Sequence, residues 1–296
     1  MRIVVFSDPH VDINAQIVID AEIEENFIDL LIDNLAINHP DVLICAGDVT
    51  PETNLLKTTL KSIKKEVKSD FYLFIPGNHD VWFRIPADHT GQASSSLDKY
   101  QRVLPKICQE IGFTFLPGNP FTIDQVGFLG SIGWYDYSFR NTKWDTQVDL
   151  LHYASKRYQG MVWNDVNYGE WEMVDTTVCQ YLLSKLEQDY NLLLDQDIDE
   201  LILILHHVPF KQFVTYKDDL TWDFFSSFVG SQQFGEWALK QSEIKTIVFG
   251  HTHFPQKAKI KGITNYCVPI GYLSEVEDSL KDIHQFVKSR VNVITK

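Results

Sequence analysis

The sequence predicts an α/β fold in which helices layer around sheet, and three observations carry that expectation. Apolar runs of strand length recur along the 296 residues: IVVF (Ile3 to Phe6), VLICA (Val42 to Ala46), FYLFI (Phe71 to Ile75), LILIL (Leu201 to Leu205) and TIVF (Thr246 to Phe249). Longer stretches between them carry apolar residues at helical spacing. No internal repeat and no linker rich in Gly, Ser or Pro divides the chain, so residues 1–296 read as one domain.

Taken in order, IVVF is a first strand, and Glu22 to Asn38 is a helix because Ile23, Phe27, Leu30, Leu31, Asn34 and Leu35 fall on one face. VLICA is the second strand, Asn54 to Lys68 the second helix and FYLFI the third strand, which makes a βαβαβ opening. Ser94 to Gly112 reads as another helix, and FTIDQVGFLGSIGWY as a hairpin turning near Asp124-Gln125. A helix around Glu172 to Tyr190, the strand LILIL, a helix from Ser231 to Ser242, the strand TIVF and a closing strand near Thr264 to Val268 complete the reading.

Composition narrows the class. Cys45, Cys108, Cys179 and Cys267 lie far apart with no CxxC pair, which fits reduced thiols in a cytoplasmic protein. The N-terminal MRIVVFSDPH offers only four apolar residues before Ser7, too short a run for a signal peptide. No apolar run approaches the roughly 20 residues that a membrane span needs, so no membrane partner is expected. A net charge of −14 disfavours long nucleic acids as partners. The run Lys57, Lys61, Lys64, Lys65, Lys68 has the spacing of a solvated helix face.

The turns at the strand ends carry the chemistry. After IVVF stands Ser7-Asp8-Pro9-His10, after VLICA Gly47-Asp48, and after FYLFI Gly77-Asn78-His79-Asp80. After LILIL stands His206-His207, and after TIVF Gly250-His251-Thr252-His253. Each piece alone is ordinary loop chemistry. In α/β sheets, however, ligands gather at the carboxyl ends of strands. Carboxylates, imidazoles and an amide oxygen together suit divalent transition metals.

As an ordered set these turns resemble the calcineurin-like metallophosphoesterase superfamily, whose pattern runs D-x-H, GD, GNH[D/E], H, GHxH. Here it reads Asp8-Pro9-His10, Gly47-Asp48, Gly77-Asn78-His79-Asp80, His206 and Gly250-His251-Thr252-His253, over residues 1 to about 271. The resemblance implies a four-layer α/β/β/α sandwich with two divalent metal ions at one edge. It implies that Asp48 bridges them, that Asp8, His10 and His253 complete one site, and that Asn78, His206 and His251 complete the other. The activity implied is hydrolysis of a phosphate ester by attack of a metal-bridging hydroxide, the two cations neutralising the phosphoryl oxygens and the leaving oxygen. His79 is implied as the group that protonates the leaving oxygen or stabilises the phosphoryl charge. Mn²⁺ is expected to support activity in vitro, with Fe and Zn²⁺ as the other candidates.

Two departures matter. Family members acting on phosphoproteins usually read GDxxDRG, whereas this chain reads Gly47-Asp48-Val49-Thr50-Pro51-Glu52, which weakens a protein-phosphatase reading. Asp80 and Glu52 are the candidates to orient His79, and Arg84 to reach phosphate. In the HH pair, strand geometry favours His206 as ligand and leaves His207 facing substrate or supporting the site from behind. A one-residue shift would exchange them.

Two aromatic-rich insertions, about 134–180 and 210–232, read mainly as an auxiliary core, with a few residues at a pocket rim that could cap the metals. GWYDYSFR, Gly133 to Arg140, is expected at that rim, with Arg140 toward phosphate. The function expected is hydrolysis of a small phosphomonoester or phosphodiester, nucleotide-derived esters included. The alternatives are a nuclease of the same superfamily, and a non-catalytic metal-binding scaffold for protein partners. Nothing in the residues identifies such partners.

Overall fold

The computed structural model describes residues 1–84 and 93–296. Its strands in chain order are β1 (Arg2–Phe6), β2 (Val42–Cys45), β3 (Phe71–Phe74), β4 (Thr114–Phe115), β5 (Phe121–Ile123), β6 (Val126–Ser131), β7 (Arg157–Tyr158), β8 (Met161–Val162), β9 (Glu200–Leu205), β10 (Ile244–Phe249), β11 (Gln256–Ile260), β12 (Ile263–Cys267) and β13 (Asn292–Thr295). One sheet runs β13-β1-β2-β3-β4 and the other β11-β12-β10-β9-β6-β5, while β7 and β8 form a small separate hairpin. The inner strands are parallel; β13, β5 and β11 attach antiparallel at edges.

Side chains alternate across a strand, and the layering arises from that. Ile3 and Val5 of β1 cluster with Val42 and Ile44, with Leu73, and with Phe128, Ile202, Ile204 and Val248 from the other sheet. No residue of that buried cluster is helical, so it is the interface between the sheets. The intervening Val4, Phe6, Leu43 and Cys45 pack instead with helical residues such as Leu30, Leu56, Leu60 and Ile107. On the other sheet Leu129, Leu201 and Leu203 do the same with Leu182, Leu186 and Leu193 of the helix Asp175–Leu194. The order is helix, sheet, sheet, helix, the four-layer sandwich that the resemblance implied.

Several elements differ from expectation for local reasons. The helix expected from Glu22 begins at Phe27, because the Asn26 side chain caps it by accepting from Ile28 N–H at 2.8 Å. The helix Val11–Asp20 has no counterpart in the sequence reading. Its buried positions are Val11, Asn14 and Val18, and a polar residue in that stripe hides the period. The stretch expected as one helix from Ser94 passes through a π-helical segment, Lys99–Val103. There the fully buried Lys99 ammonium donates to the carbonyls of Pro51 and Trp82, both at 2.6 Å. The closing strand near Thr264 is succeeded by β13, which pairs with β1.

Candidate active site

The turns after β1, β2, β3, β9 and β10 meet at one edge, where the two sheets come together. Asp8 N–H donates to Gly47 O at 2.8 Å, His10 N–H to Asp48 O at 3.1 Å, Gly250 N–H to His206 O at 3.1 Å and Gly271 N–H to Asp8 O at 3.0 Å. Asp80 ties the second and third turns together. Its Oδ2 accepts from Asp48 N–H at 2.7 Å and Gly77 N–H at 2.8 Å, and its Oδ1 from Val49 N–H at 2.9 Å and Thr50 N–H at 3.1 Å.

The backbone is strained where the chemistry sits. Asp8, His10, Asp48, His251 and His253 hold positive φ values of 54°, 37°, 56°, 71° and 58°. Such left-handed conformations cost about 1–3 kcal/mol each and persist only where surrounding bonds impose them. Two glycines make the approach possible. A Cβ on Gly77 would overlap the Asp48 carboxylate, and one on Gly250 would overlap Asp8 and Ser7.

Two groups of donor atoms result, Asp8 with His10 and His253, and Asp48 with His206 and His251. A third grouping, His10 with Asp48 and His79, links them. His10 Nε2 lies 3.0 Å from His253 Nε2 and 3.7 Å from Asp48 Oδ2, and His253 Nε2 lies 3.7 Å from Asp8 Oδ1. His206 Nε2 lies 3.1 Å from His251 Nδ1 and 3.3 Å from Asp48 Oδ2. Atoms bound to one divalent ion at about 2.0–2.2 Å stand roughly 3–4 Å apart, so the residues present fit two such ions with Asp48 between them. Asn78 Oδ1 is buried beside them with no hydrogen-bond partner, while its Nδ2 donates to Asp165 Oδ1 at 3.0 Å. An acceptor left free in this way is what a metal-binding amide requires.

Electrostatics prepare the same groups. Burial opposes the charge on Asp48, but the imidazoles of His206 and His79 outweigh it and hold the carboxyl well below its usual range. Burial, joined by the neighbouring His79, keeps His10 neutral, and burial with His207 does the same for His251. His206 is the opposite case: burial pulls it down, yet Asp48 and Asp8 raise it to about 9. Burial lowers His253 too, but Glu275 and Asp8 prevail and raise it.

The two histidines of the HH pair lie in different surroundings. His206 Nδ1 contacts Ala46 O at 3.0 Å, which turns Nε2 toward Asp48. His207 is buried against Trp134, Tyr135 and His251, with Nδ1 on Ile132 O at 3.0 Å. It does not line the cavity over the metal-ligand groups, so its expected contact with substrate is corrected to a position behind His251.

His79 stands at the entrance to the metal-ligand cluster. Its backbone N–H donates to Asp48 Oδ1 at 2.9 Å, and its ring stacks on Trp82 at 3.8 Å between centroids. Asp80, a candidate to orient it, is taken up by backbone amides, and Glu52 stands at the start of the helix Thr53–Glu66. The sequence reading missed Asp12, a partly buried carboxyl that burial pushes up and the His79 charge pulls back. The alternation Asp8, His10, Asp12 was the available signal. It also missed Tyr272, whose ring packs on His10 and His253 at 4.6 and 4.5 Å, and Glu275, both beyond the last motif.

A cavity of about 420 Å³ opens over the cluster, reaching Asp48, Asn78, His79, His251 and His253. The insertions contribute Trp163, Phe213, Trp222 and Phe225 to its lining, together with Phe254 and Tyr272 from beyond them. Residues 133–140 do not line it, which corrects the expected rim. Trp134, Tyr135, Tyr137 and Phe139 are buried as core. Arg140 is paired with Asp145 at 3.0 Å and Arg84 with Glu170, so the structure brings neither guanidinium to the cavity.

Comparison with known proteins places the chain in a family. Residues 1–255 match the family model described as calcineurin-like phosphoesterase. No curated protein matches the chain. Among solved structures the chain is similar to the phosphopantetheinyl hydrolase of Mycobacterium tuberculosis, at 21% identity and a TM-score of 0.69, with 92% of this chain and 90% of that chain covered. It is also similar to a dimetal phosphatase from Danio rerio, at 12% identity and a TM-score of 0.44, with 91% and 87% covered. The first of these likenesses supports the fold.

Proposed function

We propose that this chain, which belongs to the calcineurin-like phosphoesterase family, hydrolyses a small phosphomonoester or phosphodiester at a centre of two divalent metal ions. The observation that carries the reading is the two neighbouring groups of candidate ligands, Asp8 with His10 and His253 and Asp48 with His206 and His251, joined where His10 Nε2 lies 3.7 Å from Asp48 Oδ2, beside a cavity of about 420 Å³. Asp8, His10 and His253 would hold one ion and Asn78, His206 and His251 the other, with Asp48 available to both. When bound, such ions generate a nucleophile from water and neutralise phosphoryl oxygens.

The protein's own contribution is positioning. His79, held by its backbone to Asp48 and by its ring to Trp82, faces the cavity and gives a proton to the leaving oxygen or stabilises the phosphoryl charge. The aromatic walls receive the rest of the ester. Among the described residues no Lys or Arg lines the cavity, and Glu275 does. We therefore infer a substrate with one phosphoryl group and an uncharged, apolar or planar body. This argues against a nuclease, since a polyanion needs cationic partners. The complete ligand set argues against a non-catalytic scaffold.

We take residues 1–296 as one domain whose insertions supply the cap, Mn²⁺ as an activating metal and the cytoplasm as the location, on the strength of four buried thiols in no disulfide. Among the described residues no helix is long and apolar enough to cross a membrane. The function is tested by hydrolysis of bis-p-nitrophenyl phosphate beside p-nitrophenyl phosphate with Mn²⁺. Turnover by the wild type and its loss in Asp48→Ala and His79→Ala are expected. Turnover that persists in both variants would overturn the reading.

A further inference from the structure

The carboxylate of Asp165 is 4% exposed and accepts four hydrogen bonds. Oδ1 takes Asn78 Nδ2 at 3.0 Å and Trp82 Nε1 at 2.6 Å, and Oδ2 takes Tyr135 OH at 2.8 Å and Trp163 Nε1 at 2.7 Å. An ionised carboxylate offers about four lone-pair positions and no donor, so this group is filled and fixed.

The two ends of an asparagine amide have almost the same shape and opposite chemistry, the oxygen accepting and the nitrogen donating. Turned one way, Asn78 offers a cation its oxygen; turned the other way, it presents N–H groups that repel the cation. An acceptor-only partner on one side decides between them. We propose that Asp165 is a positioning residue for the metal centre: by taking the Asn78 N–H it leaves Oδ1 free toward the cavity that Asp48 and His251 also line.

Asp165 lies 87 residues from Asn78, in the short helix Asp165–Tyr168 of the first insertion. The insertion therefore does more than cover the metals. Through one carboxylate it holds a metal-facing amide, the cavity wall Trp163, and Trp82, on which His79 stacks. Asp175 is a control within the same insertion. It is also a buried carboxylate, accepting from Trp134 Nε1 at 2.9 Å and from Tyr137 OH and Lys156 Nζ at 2.5 Å, and it has no bond to Asn78.

This assignment rests on the two-metal reading, and the experiment separates them. The metal-depleted full chain is titrated with Mn²⁺ by calorimetry, with elemental analysis of the product, for wild type, Asp165→Asn, Asp165→Ser and Asp175→Asn. Two ions are expected in the wild type and in Asp175→Asn. In whichever Asp165 variant folds, the first ion should bind as in wild type and the second about 10–100-fold more weakly, as for other groups that orient a metal ligand. A second ion bound within about twofold of wild type would overturn the assignment, as would an equal loss in Asp175→Asn or failure of both Asp165 variants to fold. A wild type holding fewer than two ions would overturn the two-metal reading itself, and this assignment with it.

Discussion

Glu275 Oε2 lies 2.7 Å from His253 Nδ1, and the same carboxylate oxygen accepts the Tyr272 N–H at 3.3 Å. With its proton on Nδ1, the imidazole turns Nε2 toward Asp8 and His10 as a lone-pair donor. A carboxylate behind a metal-binding histidine fixes both tautomer and basicity. Glu275→Gln should weaken the first Mn²⁺ site about 10–100-fold and leave the second unchanged, as measured by calorimetric titration. Equal affinity in the variant would remove Glu275 from the metal centre.

Metal binding should release protons. In the metal-free protein His206 is protonated up to about 9: burial lowers it, but Asp48 and Asp8 outweigh burial. Ligation needs the neutral ring. Below about pH 9 the proton therefore competes with the metal, and Mn²⁺ affinity should fall by about tenfold per pH unit for this one proton. Calorimetry at pH 7 in buffers of different ionisation enthalpy should report the release. An affinity that does not change from pH 7 to 9 would contradict the assignment of His206 as ligand.

Asn14 should matter for stability although it touches no metal ligand directly through its side chain. Its Nδ2 donates to Pro9 O at 2.8 Å and Gly271 O at 3.0 Å, and its Oδ1 accepts Leu273 N–H at 2.9 Å. It thus clamps the Asp8 turn to the segment carrying Tyr272 and Glu275. Asn14→Ala leaves these buried groups without partners, and a loss of about 1–3 kcal/mol is expected in urea unfolding of the metal-free protein. A smaller change than about 0.5 kcal/mol would show that water replaces the clamp.

The cavity walls and Arg140 should separate kinetically. Trp222→Ala should raise KM for an aromatic phosphate ester about two- to tenfold, the worth of one aromatic contact at roughly 0.5–1.5 kcal/mol. Arg140→Ala should leave KM unchanged, because that guanidinium is occupied by Asp145 away from the cavity. The reverse pattern would restore residues 133–140 as the substrate rim.

Legibility in the sequence depended on range. Apolar strands and the Asp, His and Asn residues immediately after them are local signals, so the five turns could be read from order and spacing, and His206 as the histidine that directly follows its strand. Asn14, Asp165 and Glu275 act across 257, 87 and 22 residues respectively, and nothing in their own neighbourhoods announces it. The two arginines misled as well. A guanidinium near a motif suggests phosphate, but Glu170 is an acid that only the fold brings to Arg84, and Asp145, five residues from Arg140, is a local partner that the sequence did offer.

The central claim is that two ions at the Asp48-linked groups act together on a phosphate ester. Its most direct test is the turnover of bis-p-nitrophenyl phosphate and p-nitrophenyl phosphate by metal-depleted protein as Mn²⁺ is added in measured equivalents. Activity that stays low through the first equivalent and rises to its plateau with the second is the expected result. Full activity at one equivalent, or none with two ions bound, would contradict the account.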